Sequence, residues 1–240
     1  MLKRLALFAA VAVAGIAVAP AEEWHKSFPV AGRAELRVDA KDGAVTIRSW
    51  GEKSISARVT AMGWKIGPGE LEVIDHQIGD KVEVNVPRDT RLDIRTGDGS
   101  IRVQDVAGEI RLNTGDGSVT AEGVEGDLHV RTGDGRIGVR GRLESLNLHT
   151  GDGSITAEVM PGSKVASSWR VETGDGSVTL RLPSDVAADI DAHTGDGSLT
   201  VDLPLNETQR EKHSVKGRLN GGGPLITIRS GDGSVRVGRI

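Results

Sequence analysis

Short apolar side chains alternate with polar ones through most of this chain. Between Ser100 and Thr114, Ile101 and Val103 alternate with Arg102 and Gln104. Ala107-Gly108-Glu109 reads as a turn, and Ile110 and Leu112 then alternate with Arg111 and Asn113. A period of two marks a strand with one buried face. Shifted by 18 residues, the apolar set returns as Val119, Ala121, Leu128 and Val130, and shifted again as Ile137, Val139, Leu146 and Leu148. Each repeat therefore predicts two short strands, each with one apolar face, joined by turns.

One phrase punctuates the repeats. Thr-Gly-Asp-Gly-Ser stands at Thr96–Ser100, Thr114–Ser118, Thr150–Ser154, Thr173–Ser177 and Thr194–Ser198, with near-copies at Thr132–Arg136 and Ser230–Ser234. A fainter version, Lys41-Asp42-Gly43-Ala44, comes first. Asp98, Asp116, Asp134 and Asp152 are 18 residues apart, and the later gaps are 23 to Asp175, 21 to Asp196 and 36 to Asp232. A fixed period of this kind signals a repeat architecture. The last gap reads as two periods with one turn degraded, the worn copy being Asn220-Gly221-Gly222-Gly223-Pro224. The glycines around each aspartate are expected at positive φ, where glycine alone is unstrained.

Two folds fit. Asp-Gly between alternating strands is a hairpin signal, so an antiparallel β-meander or sandwich is the alternative. A meander would gather every apolar side chain on one face, and no amphipathic helix is present to cover it. A single-stranded parallel β-helix, or β-solenoid, with coils of about 18 residues buries the two strands of each coil against one another. Its strands stack about 4.8 Å apart, so Ile101, Val119, Ile137 and Ile155 should form one column. The reading is an all-β solenoid.

Residues 22–90 are strand-like but irregular, and 91–240 carry the repeats; together they read as one domain. Leu36 and Val38, Val45 and Ile47, Ile55, Ala57 and Val59, Leu71 and Val73, and Val82, Val84 and Val86 keep the period of two. Trp24, Trp50 and Trp64 fall here and are expected to seal the end of the core. Past Asp152 an excursion starts at Met160-Pro161-Gly162-Ser163-Lys164 and returns with Trp169. The polar stretch from Pro204 to Lys216 is the best candidate for a mobile loop. The chain is expected to end on a half-coil, Val235 and Val237.

Residues 1–21 read as a secretory signal. Lys3 and Arg4 precede an apolar run from Leu5 to Val18, and Ala19-Pro20-Ala21 offers a small-x-small cleavage site that would leave Glu22 as the mature N-terminus. That run is shorter than the roughly 20 residues of a membrane span, and no second such segment follows, so no span is expected after cleavage. The chain has no cysteine, which excludes disulfides, thiolate metal sites and a cysteine nucleophile. A net charge of −4 and 2% aromatic residues, with no basic stripe, argue against nucleic acid.

The candidate chemistry is thin. The Gly-x-Gly spacing resembles a phosphate loop, but a strand follows where such a loop needs a helix N-terminus. The threonine column (Thr96, Thr114, Thr132, Thr150, Thr173, Thr194) reads as turn capping. His149 and His193 each precede a repeat threonine and should share an outer face with Arg95, Asn113, Arg131 and Glu172. His25, His76, His129 and His213 show no tight ligand spacing. The aspartates sit in near-identical turns, whereas acid–base catalysis needs two carboxylates in different environments. Their expected role is structural, each accepting N–H bonds from its own turn. No catalytic, cofactor-binding or metal residue is assigned, and no cofactor is expected.

Tandem TGDGS turns between short alternating strands, opened by Leu36-Arg37-Val38, Asp42-Gly43-Ala44-Val45-Thr46-Ile47 and Trp50, resemble the bacterial putative-adhesin family, a domain of unknown function. The resemblance runs from about Ala34 to Val237. It implies a β-helical domain on exported or envelope proteins and carries no catalytic residues. The function expected is that of an exported, non-enzymatic cell-envelope scaffold or adhesive surface module, in the periplasm, envelope or outside the cell, with an envelope or cell-surface component as partner. A calcium-dependent repeat protein and a solenoid polysaccharide hydrolase are the alternatives.

Overall fold

The computed structural model describes residues 23–40, 42–60, 64–67, 70–73 and 81–240. The proposed signal at residues 1–21 and His76 lie outside them, as do the side chains of Trp24, Trp64, Leu71 and Val73. In chain order the strands are β1 (Glu23–Pro29), β2 (Ala34–Ala40), β3 (Ala44–Trp50), β4 (Ser54–Thr60), β5 (Trp64–Gly67), β6 (Glu70–Val73) and β7 (Lys81–Pro87). The repeats supply β8 (Thr90–Thr96), β9 (Ile101–Gln104), β10 (Ala107–Thr114), β11 (Val119–Thr132), β12 (Ile137–Thr150), β13 (Ile155–Val159), β14 (Trp169–Thr173) and β15 (Val178–Leu182). Then come β16 (Ala188–Thr194), β17 (Leu199–Val201), β18 (Leu205–Arg210), β19 (Ser214–Leu219), β20 (Leu225–Ser230) and β21 (Val235–Arg239).

These strands stack as two parallel ladders, one before each turn phrase and one after it. The first runs β6, β2, β8, β10, the second half of β11, the second half of β12, β14, β20 and β16. The second runs β7, β3, β9, the first halves of β11 and β12, β13, β15, β21 and β17. The solenoid is confirmed over the meander. Val119 pairs with Ile101 on one side and Ile137 on the other, in parallel, and Ile137 pairs with Ile155.

The period of two decides what each ladder buries. Along β2, Ala34, Leu36, Val38 and Ala40 are buried while Glu35, Arg37 and Asp39 are exposed. Leu92, Ile110 and Leu128 continue the Leu36 column, and all are 3% exposed or less. The columns of the two ladders face each other across one thin core. Trp169, 1% exposed, begins β14 after the Met160–Lys164 excursion, and its Nε1 donates to the Glu144 carbonyl at 3.1 Å. Buried tryptophan N–H groups need such a partner. Trp50 is half-buried and donates to Ser54 O at 2.7 Å.

The coil order departs from the sequence at both ends. β2 and β3 lie between β6–β7 and β8–β9, although β6 and β7 come later in the chain. At the far end β20 and β21 are inserted between β14–β15 and β16–β17. The expected half-coil terminus is thus the penultimate layer, held on both edges. The reason is a pair of straddling connections. β3 and β4 flank β7, parallel and antiparallel respectively, and β20 and β19 flank β16 in the same way.

The 36-residue gap is therefore no doubled period. It holds the antiparallel pair β18–β19, which closes the end of the first ladder. The stretch read as a mobile loop is this hairpin, and its outer strand carries exposed Glu207, Thr208, Gln209 and Arg210. Charges of this kind discourage edge-to-edge pairing with other chains. The supposed worn phrase is a left-handed turn, with φ of 51° at Asn220, 93° at Gly221 and 87° at Gly222, and it carries the chain across β16.

Candidate functional site

Two surfaces combine repetition with polar chemistry: the edge formed by the turn phrases and the outer face of the first ladder. At the edge, the Thr114 hydroxyl shares its proton between Gly97 O at 3.0 Å and Gly99 O at 2.9 Å and accepts the Gly117 N–H at 3.3 Å. Thr132, Thr150 and Thr173 repeat the arrangement. Ser230, in the inserted coil, keeps it by donating to Gly176 O at 2.8 Å. The threonine column is thus a turn cap as expected, and it also ties each coil to its neighbour. A buried carbonyl left without a donor would cost about 1–3 kcal/mol.

The glycines of the phrase follow a different rule from the one expected. None of those that follow the aspartates lies in the left-handed region. Space is the constraint instead. A Cβ on Gly117 would sit 2.0 Å from Gly99 O, and one on Gly135 or Gly153 would sit 1.9 Å from the preceding glycine carbonyl. The phrase lets turns stack at the strand spacing.

The aspartates face solvent, and Asp98, Asp116, Asp134 and Asp152 make no side-chain hydrogen bond or ion pair to described residues. The expected N–H bonds from their own turns do not form, because the threonine hydroxyl and the glycine-to-glycine ladder between coils take those groups. Water is left to screen the carboxylates. Among the described residues no group of three or more His, Cys, Asp or Glu is placed to hold a metal ion.

On the outer face of the first ladder, register aligns Arg95, Asn113, Arg131, His149, Glu172, Arg229 and His193 in one row. His149 and His193 do share a face, as the spacing implies, but Glu172 and Arg229 stand between them. The neighbouring row aligns Asp93, Arg111, His129, Asn147 and Arg170. His129 was missed as a site residue, although its 18-residue offset from both Arg111 and Asn147 is visible in the sequence. The period places His129 on the outer face but does not show which outer side chains lack an ion-pair partner.

Most of this face is ion-paired. Arg91 reaches Glu109 at 3.3 Å and Glu35 at 3.9 Å, and Arg111 meets Glu109. Arg95 pairs with Asp93 at 3.3 Å, Arg170 with Glu172 at 3.3 Å, and Asp191 with Lys216 at 3.2 Å and Arg229 at 3.5 Å. Between these pairs, on β10, β11 and β12, lies a shallow groove of about 230 Å³ lined by Arg111, Asn113, His129, Arg131, Asn147 and His149. Asn113, His129, Arg131, Asn147 and His149 make no side-chain hydrogen bond or ion pair to any described residue. A second groove, on the other ladder near the N-terminal end, is lined by His25, Thr46, Arg48, Ser56, Arg58, Glu83 and Asn85. There the side chains are engaged, His25 Nε2 with Ser56 Oγ at 3.0 Å and Arg48 with Gln104 at 2.9 Å.

A search of curated proteins finds no match to this chain. Among solved structures, it is similar to a putative adhesin from Parabacteroides merdae, at 14% identity over 90% of this chain and 96% of that one, with a TM-score of 0.48. A putative adhesin from Bacteroides fragilis is 12% identical over 91% and 97%, with a TM-score of 0.42. A putative cell adhesion protein from Clostridium sporogenes is 13% identical over 91% and 99%, with a TM-score of 0.37. The model of the family Toastrack DUF4097 matches residues 34–238, from the first residue of β2 to the penultimate residue of β21. The chain belongs to the Toastrack family.

Proposed function

We propose that this protein is an exported, non-catalytic surface module that presents a rigid solenoid at the cell envelope and binds an envelope or cell-surface component through its outer face. The observation that carries this reading is the groove on β10, β11 and β12, where Asn113, His129, Arg131, Asn147 and His149 stand side by side without hydrogen-bond or ion-pair partners among the described residues. Parallel stacking holds them at fixed spacing, which is pre-organisation for binding an extended ligand. The signal-like residues 1–21 support export. Their cleavage would leave residues 22–240 as one domain.

The full-length chain, expressed in a bacterial host, tests this by fractionation and N-terminal sequencing. The expected product begins at Glu22 and appears outside the cytoplasm, and the purified product adheres to envelope preparations. Retention in the cytoplasm with residues 1–21 intact would defeat export. Turnover of envelope polysaccharide by the purified chain would show an enzyme.

A further inference from the structure

We infer that the groove on β10, β11 and β12 is a binding site for an acidic polysaccharide, recognised through the carboxylates of its uronate units; this rests on the adhesive reading above. The six side chains lie in two rows of three, Arg111, His129 and Asn147 beside Asn113, Arg131 and His149. Neighbours along a row are about 4.8 Å apart, and the rows are separated by about 6.6 Å, two residues along a strand. No carboxylate lies within this array; Asp93 borders it on β8 and Glu172 on β14, while Glu109 and Asp127 flank Arg111 and His129 on β10 and β11. Glu109 is paired to Arg111, which leaves Arg131 as the array's arginine without an ion-pair partner among the described residues.

The chemistry of the array selects an anion. Arg131 is exposed, carries a guanidinium with five donors and has no ion-pair partner among the described residues. A guanidinium meets a carboxylate through two parallel hydrogen bonds. The Asn113 and Asn147 carboxamides each both donate and accept, which suits the hydroxyl groups of a sugar. The histidines on either side of Arg131 in the lattice add two further ring N–H positions.

The shape selects a polymer. The groove is open to solvent and crosses three stacked strands, so it suits an extended chain better than an enclosed small molecule. The bordering acids limit it to three strands, a span of about 10 Å, enough for two or three sugar units. Nucleic acid fits less well, because single strands are held mainly by stacking on large aromatic rings, and the lining includes no Phe, Tyr or Trp.

Binding of the mature chain, residues 22–240, to polygalacturonate tests the inference, with fully methyl-esterified polygalacturonate and poly-glutamate as comparison probes. The expected result is binding to polygalacturonate at low salt, lost on esterification, and weakened about tenfold or more by Arg131→Gln. His129→Gln/His149→Gln should weaken it further, while Arg102→Gln on the other ladder leaves it unchanged. An unaltered thermal midpoint shows that each variant is folded. Unchanged affinity in Arg131→Gln would place the site elsewhere. Equal affinity for the methyl ester would overturn recognition by charge, and equal affinity for poly-glutamate would reassign the face to acidic peptides. Adherence to envelope preparations without any binding to polygalacturonate would overturn this inference while leaving the adhesive reading intact; loss of adherence itself would end that reading.

Discussion

Val178 lies in register against Val235 and not against Leu199, the equivalent residue one turn phrase further along the chain. β21 separates the two. On the outer face the same register sets Thr179 beside Arg236, and Arg236 beside Thr200. The chain has no cysteine of its own, so paired substitutions read this order directly. Thr179→Cys/Arg236→Cys is expected to form a disulfide under mild oxidation, since paired Cα atoms fall within the 4.4–6.8 Å that a disulfide spans. Thr179→Cys/Thr200→Cys should stay reduced, its sites being about 9.6 Å apart. Oxidation of the second pair and not the first would mean the coils follow sequence order.

Close approach of the turns makes a sharp prediction for glycine. Gly117→Ala is expected to cost about 3 kcal/mol or more, because the new methyl meets the Gly99 carbonyl, a backbone group, together with the capping hydroxyl of Thr114. Gly51→Ala, with no atom within 4 Å of its would-be Cβ, should stay within about 0.5 kcal/mol. Urea midpoints of the two variants, compared at equal m-values, decide the matter.

The threonine caps separate shape from hydrogen bonding. Thr132→Val keeps the volume but removes the proton shared by Gly115 O and Gly117 O and the acceptor of the Gly135 N–H. A loss of about 1–2 kcal/mol is expected. Thr132→Ser should recover most of it, as Ser230 makes the same contact in the inserted coil. Equal stability of the valine and serine variants in chemical denaturation would show that the hydroxyl contributes nothing.

Inside and outside are distinguished by one coil. Val119, 0% exposed between Ile101 and Ile137, cannot take a carboxylate without burying an unpaired charge. Val119→Asp is expected to lose about 3 kcal/mol or more. Arg102→Ala, at an exposed site, should remain within about 0.5 kcal/mol. Thermal melts that ranked the two in the opposite order would contradict the assigned faces.

The file of exposed aspartates predicts the response to calcium. A calcium site needs six to eight oxygens, and each turn contributes one carboxylate. Millimolar calcium and a chelator are both expected to leave the thermal midpoint unchanged. Asp116→Asn/Asp134→Asn should raise the midpoint at low ionic strength, by relieving repulsion between neighbouring coils, and the gain should vanish in high salt. A calcium-dependent rise that disappears in the double variant would establish a metal site instead.

Sequence alone determined the coil. The alternation around Ile101, Val119 and Ile137, the 18-residue offset and the repeated phrase are local features, and each is sufficient to specify a strand, its buried face and its turn. The shared outer face of His149 and His193 is legible for the same reason, and the offset of 18 likewise sets His129 between Arg111 and Asn147. The order of the coils at the ends was decided by tertiary structure. The phrases before β15, β17 and β21 offer the same glycine carbonyls and a threonine or serine hydroxyl, so local sequence does not tell β15 whether to stack on β17 or β21. The choice depends on whether the segment between them can straddle a strand, as β19 and β20 straddle β16, and only the packed chain reveals that. The role of the phrase glycines was likewise decided between coils: a Cβ at Gly117 collides with Gly99, a residue of another turn. The character of the groove emerged in the same way, because whether Arg131 finds a carboxylate depends on what β10 and β12 place beside it.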